Sequence, residues 1–353
     1  MVDKEYCMSS YLALRTIADH KKSFSADITP VFYDDRFTRE PVHSSEELEE
    51  KLRIIMHEAT KDGKAALALS GGIDSAILAK FMPHGSVAYT FRCVVPGVKT
   101  IDESEAAAEY AKECGLEHRV IDIYWEDFEK YTPKLMKRKG APLHSIEIQI
   151  HKAALQAKQD GFETFIFGES ADANYGGLSN ILSRDWPVGE FVDRYSYIRP
   201  YYVLREPVDI ITPFLDFEAE GMIDVHSFFQ KAFFLESMGS YTNACDLAEI
   251  GFEAPYGRTF MAEPLDLNRV RHGENKYWIR SIFDHLYPGY EIPVKTPMPR
   301  ATNEWLKNWR GPTRSEFWPN CVKNMSGDQR WLVYCLEWFL NLLDEGYFAN
   351  EKV

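Results

Sequence analysis

No Gly-Lys-Ser/Thr triplet follows a glycine-rich turn anywhere in the sequence, so a Walker-type phosphate loop is excluded. The six cysteines (Cys7, Cys93, Cys114, Cys245, Cys321 and Cys335) form no C-x-x-C pair and no His–Cys cluster with zinc spacing. Buried or incidental thiols in a reducing compartment are expected instead of a disulfide framework. Basic residues are outnumbered, 40 Lys and Arg against 54 Asp and Glu. The net charge of −14 comes with no long basic stripe, which disfavours a duplex-binding role and any nucleic-acid partner. The densest basic run, Lys134, Lys137, Arg138 and Lys139, reads as the solvated end of a helix. No stretch approaches the ~20 apolar residues that span a bilayer. The N-terminal MVDKEYCMSS has no apolar core of signal-peptide length. The expected location is therefore cytoplasmic, away from membranes. The histidines show neither a triad nor a metal pattern.

What is there is an ordinary globular composition, 45% hydrophobic over 353 residues, enough for a sizeable core. Residues 1–44 read as a small N-terminal segment. A helix is expected after Ser44-Ser45, with a stripe of Leu48, Leu52 and Ile55. Strands at 65–69, 87–91, 119–123 and 164–167 then alternate with helices at 74–82, 103–113 and 146–159. That alternation predicts an α/β fold with a doubly wound, mostly parallel sheet. Such sheets bind ligands at the carboxyl ends of their strands. From 179 to 213 prolines and aromatics break the pattern, either as loops over a site or as aromatics packed on the core. The remainder reads as largely helical, with an irregular stretch at 288–319.

The sharpest signal is Ser70-Gly71-Gly72-Ile73-Asp74-Ser75, set between a strand and a helix. Two glycines let the backbone approach an anion, and successive N–H groups form a nest at the helix start. Ser70 and Ser75 add hydroxyl donors. Asp74 would repel phosphate unless it binds Mg²⁺ that bridges phosphate oxygens.

This loop resembles the pyrophosphate loop of the ATP pyrophosphatases (PP-loop enzymes), which cleave ATP to AMP and pyrophosphate. A second block, Gly168-Glu169-Ser170-Ala171-Asp172 followed by Gly176-Gly177, is similar to the Gly-Glu-Gly-(Ser/Ala)-Asp…Gly-Gly block of asparagine synthetases and β-lactam synthetase. Asp102-Glu103, His118, Tyr241-Thr242-Asn243…Asp246, Arg258 through Pro264-Leu265-Asp266, Lys276…Arg280 and Pro293-Val294-Lys295 extend the resemblance over residues 45–310, leaving 311–353 as a C-terminal helical extension. Thr212-Pro213-Phe214-Leu215-Asp216 also spells the PFLD motif of that family but lies before the Asn243 helix, and is set aside.

The resemblance implies an amide-forming ligase. A small-molecule carboxylate would attack the α-phosphorus of ATP, and the acyl group would pass to an amine or ammonia, free or from a separate glutaminase. Ser70, Gly71, Gly72 and Ser75 would hold the pyrophosphate portion, and Asp74 and Asp172 the Mg²⁺. Gly168 would admit the adenosine, with backbone near Thr90 and Phe91 at the adenine. Glu169 would act on the incoming amine, and Lys295 would supply positive charge to the α-phosphate. Arg300 and Lys276 are further candidate phosphate partners, and Arg258 is a candidate structural residue. His118 is expected to be a packing or hydrogen-bonding residue. Where the family carries Glu, an apolar residue and Phe, this chain has Ala173, Asn174 and Tyr175, which puts aspartate as substrate in doubt. The glutaminase domain that precedes the synthetase part in asparagine synthetases has no counterpart in residues 1–44. A PP-loop sulfur transferase or RNA-modifying enzyme, or a relict nucleotide-binding protein, are the alternatives.

Overall fold

The structure is a computed structural model and describes residues 1–33, 37–294 and 298–349. Its central sheet has five strands, β1 (Ala65–Ala68), β2 (Val87–Cys93), β3 (Glu117–Ile123), β4 (Thr164–Ile166) and β5 (Gly251–Glu253). They run in the order β3-β2-β1-β4-β5, every pair parallel. The order reverses between β1 and β4, and that switch point opens the crevice where doubly wound sheets bind ligands. β1 is apolar throughout because both its faces are covered: Ala66 and Ala68 enter one core, Ala65 and Leu67 the other.

Longer helices cover the two faces: α1 (Lys4–Leu14), α2 (Ser45–Thr60), α3 (Ile73–Ala79), α4 (Ser104–Glu113), α5 (Trp125–Lys139), α6 (Ile146–Gln159), α7 (Phe234–Leu247), α8 (Tyr277–Leu286) and α9 (Gly327–Asp344). One face carries α1, α5, α6 and α9; the other carries α2, α3, α4 and α8. α2 starts as expected, with the Ser44 side chain accepting from the Glu47 N–H, although Met56 rather than Ile55 completes its buried stripe. The four expected strands and three expected helices are present, with ends shifted by up to three residues.

Other expectations need correction. Lys139 is no solvated helix end: it is buried, and its ammonium meets the buried Glu147 carboxylate at 2.6 Å, while Arg138 bonds Asp246. The 1–44 segment contains α1, whose residues from Cys7 to Leu14 are all buried. A helix buried on every side has no polar face, hence no amphipathic period to read. β5 is three residues long and starts on a glycine, too little for a strand pattern. Residues 179–223 fold into short helices and a small antiparallel sheet (Trp186–Pro187, Met222–Ile223, Glu218–Ala219), and Trp186, Phe191 and Tyr195 are buried.

One junction ties the ends of the fold together. The Leu143 carbonyl accepts from the Tyr11 hydroxyl of α1 at 2.7 Å and from the Trp331 indole of α9 at 3.0 Å. Its N–H donates to the Cys335 sulfur at 3.2 Å. No helix among the described residues is long and apolar enough to cross a membrane.

Candidate active site

A cleft of about 550 Å³ opens at the carboxyl edge of β1, β2 and β4. Its floor is the turn from β1 into α3. The Ser75 hydroxyl accepts from the Ser70 N–H at 3.0 Å, the two serine hydroxyls lie 2.9 Å apart, and the Gly72 N–H donates to Ser70 Oγ at 3.2 Å. These bonds hold the loop in one shape before any ligand arrives. Space explains the glycines: a Cβ on Gly71 would sit 3.1 Å from the Ala106 side chain, and one on Gly168 would sit 3.1 Å from the Ser75 nitrogen. Glu103 lines the cleft beside this loop, and burial raises its pKa against the lowering influence of the Gly71 N–H.

The opposite charge sits beside it. The Lys276 ammonium donates to Asp74 Oδ2 at 2.5 Å and to Asp172 Oδ1 at 2.7 Å. Asp74 follows β1 and Asp172 follows β4, so the two carboxylates meet across the switch point. Lys276 is buried; desolvation opposes its charge, but the two aspartates outweigh it and its pKa ends above the ordinary value. The ammonium lies between two converging carboxylates, a pair of oxygen donors of the kind that also suits a divalent cation taking its remaining ligands from elsewhere. Among the described residues no cluster of three or more His, Cys, Asp or Glu would hold a metal without such help. Lys276 takes φ 54° to reach this position, and Ser170 takes φ 74° where the resembled block carries glycine. Left-handed backbone at non-glycine residues costs about 1–3 kcal/mol each and concentrates at functional sites.

Glu169 lines the same cleft and accepts from the Ser237 hydroxyl at 2.9 Å. Burial is the main cause that pushes its carboxyl above the usual range, against hydrogen bonds from the Ser170 N–H, Ser237 and Tyr241. Thr90 and Phe91 line the far wall. The Thr90 hydroxyl donates to Leu69 O at 2.6 Å and meets His118 Nε2 at 2.8 Å, so His118 is a bracing residue.

The cleft therefore brings together Ser70, Gly71, Gly72, Asp74, Ser75, Gly168, Glu169 and Asp172. Lys295 lies outside the described residues; Pro293 and Val294 before it line the cleft. Arg300 is turned away, to His144 Nε2 at 3.0 Å and Asp328 at 3.2 Å. Arg258 grips Glu253 with two bonds of 2.7 and 2.6 Å, a structural pair. Asn174 and Tyr175 point into the core rather than the substrate side: Asn174 donates to Tyr256 O at 2.9 Å and Tyr175 to Thr259 Oγ1 at 2.6 Å. Sequence reasoning underweighted Lys276, quoted Glu103 and Tyr241 without giving them a place in the cleft wall, and missed Ser237 behind Glu169.

Gly177 sets the spacing of the charged cluster. A Cβ there would fall 2.0 Å from Asp172 Oδ1 and 2.5 Å from Lys276 Cε. Gly177→Ala is expected to push these groups apart and lower turnover by about 10²-fold, the scale of a 1 Å misplacement. Steady-state rates beside a thermal melt check this; an unchanged rate would mean that the cluster spacing is irrelevant to turnover.

A family model for asparagine synthase matches residues 47–237, from the start of α2 into α7 and across both glycine blocks. No curated protein matches in sequence. Similar solved structures include an NH3-dependent NAD synthetase from Campylobacter jejuni, 16% identical, TM-score 0.26, over 38% of this chain and 60% of that one. An NMN synthetase from Francisella tularensis is 13% identical, TM-score 0.29, over 72% and 99%. A U34-tRNA thiolase from Methanococcus maripaludis is 14% identical, TM-score 0.26, over 71% and 82%.

Proposed function

The chain belongs to the asparagine synthase family, and on that premise we propose that it adenylates a carboxylate with ATP and passes the acyl group to an amine or to ammonia. The observation that carries this is the pair Asp74 and Asp172, converging on one cation beside the glycine loop between β1 and α3. The loop N–H groups and the Ser70 and Ser75 hydroxyls bind the β and γ phosphates. Asp74 and Asp172 would hold Mg²⁺, which would supply positive charge to offset that of the leaving pyrophosphate. Thr90 and Phe91 flank the base, and Gly168 keeps the strand end open for the nucleoside. The substrate carboxylate then attacks the α-phosphorus; its oxygen forms the new P–O bond as the bond to pyrophosphate breaks.

In the second half-reaction the amine enters as an ammonium, which has no lone pair to donate. Glu169 accepts one proton, the freed nitrogen forms the C–N bond, and AMP leaves with the electrons of the acyl C–O bond. A second proton is lost from the amide nitrogen. The elevated pKa of Glu169 makes its carboxylate a stronger base than an ordinary one.

Sulfur transfer needs an activated thiol. No cysteine lines the cleft among the described residues, and burial pushes the Cys7, Cys93 and Cys335 thiols up to about 12.

ATP incubated with Mg²⁺ and a panel of carboxylates is expected to give AMP and pyrophosphate, resolved by ³¹P NMR. ADP and phosphate as the only products would overturn the proposal.

A further inference from the structure

Met298 and Pro299 line the nucleotide cleft, and Arg300 follows them directly. The Arg300 side chain runs back into the protein. Its Nη1 donates to His144 Nε2 at 3.0 Å, and its Nη2 meets Asp328 of α9 at 3.2 Å. Arg15, at the end of α1, donates to the same His144 nitrogen at 2.8 Å. The other arm of Arg15 meets Glu236 of α7 at 3.1 Å. The next residue along α7, Ser237, donates to Glu169 at 2.9 Å. One line of contacts thus runs from the Met298–Pro299 side of the cleft to the wall that carries Glu169.

The order of charges explains why the line holds. A guanidinium has no acceptor, so two of them can meet at one imidazole nitrogen only if that nitrogen carries no proton. His144 is therefore neutral, with its proton on Nδ1. It is 8% exposed, and burial, helped by Arg15, Arg300 and Lys139, holds its pKa well below the ordinary value. The two like charges are offset at the outer ends, by Asp328 on one side and Glu236 on the other. His144 keeps its own place without the arginines. Its N–H donates to the buried Glu147 carboxylate at 2.9 Å, and Glu147 also accepts from Asn243 of α7 at 2.9 Å. Arg15 takes left-handed backbone, φ 59°, as it leaves α1. Such strain persists only where the surroundings over-determine it.

We propose that His144 is a positioning residue that fixes the Met298–Pro299 side of the cleft against the Glu169 wall. The Ser70–Ser75 loop and the Asp74–Lys276–Asp172 cluster take no part in this line, so it serves the amine step and not adenylation. That assignment rests on the ligase reading; the mechanical link does not.

Three variants test it. His144→Leu removes the acceptor, His144→Gln offers another, and Arg300→Met cuts the line at its cleft end alone. Hydrogen–deuterium exchange without ligands reads the link directly. In His144→Leu and Arg300→Met, amides from 298 to 306 should exchange about tenfold faster, while those of the Ser70–Ser75 loop keep the parent rate. His144→Gln should exchange as the parent does. Activity is read with acetate, benzoate and aspartate as acids and ammonium chloride as amine. His144→Leu should lose about 10²-fold in amide formation, the scale of a 1 Å misplacement, and keep pyrophosphate incorporation into ATP. Arg300→Met should lose as much, and the double variant no more than either. Arg300→Met alone decides if His144→Leu does not fold. Parent-like hydrogen exchange at 298–306 in either variant overturns the link. Parallel loss of incorporation and amide formation overturns the positioning role, as does failure of Gln to restore the rate. A parent that forms no AMP overturns the ligase reading, and hydrogen exchange then decides the link by itself.

Discussion

Turnover of the Asp172→Asn protein is expected to fall by about 10²–10³-fold, the scale of losing one preorganised electrostatic contact, with the protein still folded. Asn keeps the shape of the side chain and removes its charge, so one of two negative charges facing the cation position disappears. The fold should survive because Lys276 retains Asp74 at 2.5 Å, and because Asp172 is itself 29% exposed. Breaking a fully buried pair costs about 3–5 kcal/mol; here solvent and the second aspartate reduce that to about 1–2 kcal/mol. Lys276 stays charged across the neutral range in either protein, since its folded pKa lies above the ordinary one. Its stabilisation is complete below the unfolded pKa and is lost only as pH rises through the higher folded value. A rate titration against free Mg²⁺, with a thermal melt alongside, checks the assignment. Partial recovery at high Mg²⁺ is expected; a wild-type rate at limiting Mg²⁺ would show that Asp172 is no ligand. Asp74→Asn should behave alike.

Glu169→Gln should split the two half-reactions. Carboxylate-dependent exchange of pyrophosphate into ATP needs no proton acceptor, so it is expected to persist. Amide formation should drop by about 10²–10³-fold. Gln can still accept from Ser237, so the wall of the cleft keeps its shape. In the parent, burial raises the Glu169 pKa above its ordinary 4.5. Acyl transfer should therefore fall off with acid at a higher pH than an exposed carboxylate would give. The stability linkage has the opposite sense. A raised carboxyl contributes stability below its unfolded pKa and loses it as pH rises through the folded one. Above the folded pKa the charged Glu169 is thus a cost, and there the Gln variant should melt no lower than the parent. Equal losses of exchange and of amide formation would remove Glu169 from the second step.

Much of the fold was legible because its signals are local. β1 reads as a strand from its apolar run, and the Ser70–Ser75 turn reads from residues adjacent in sequence. Both glycine blocks name cleft residues for the same reason. What stayed hidden depends on distant partners. Lys276 joins Asp74 across 202 positions from a left-handed backbone that no local pattern announces. Arg300 looks like a phosphate ligand in sequence, and only the folded chain reveals His144 and Asp328 beside it. The changes at Asn174 and Tyr175 seemed to concern substrate, yet they repack against Tyr256 and Thr259. Helix α1 carries no period because every face is covered.

The Leu143 junction sets a timetable for synthesis. Its carbonyl serves Tyr11, which leaves the ribosome early, and Trp331, which follows 188 positions after Leu143. At about 5–20 residues per second the second donor lags by roughly 10–40 s. During that interval the nascent chain can pair β1 to β4 and shape the nucleotide cleft, while the surface of α1 destined for α9 stays uncovered. A stop codon before Gly327 would make that interval permanent, leaving Leu143 and the inner side of α1 open to chaperones and proteases in a protein whose Asp74–Lys276–Asp172 cluster had already been encoded in full.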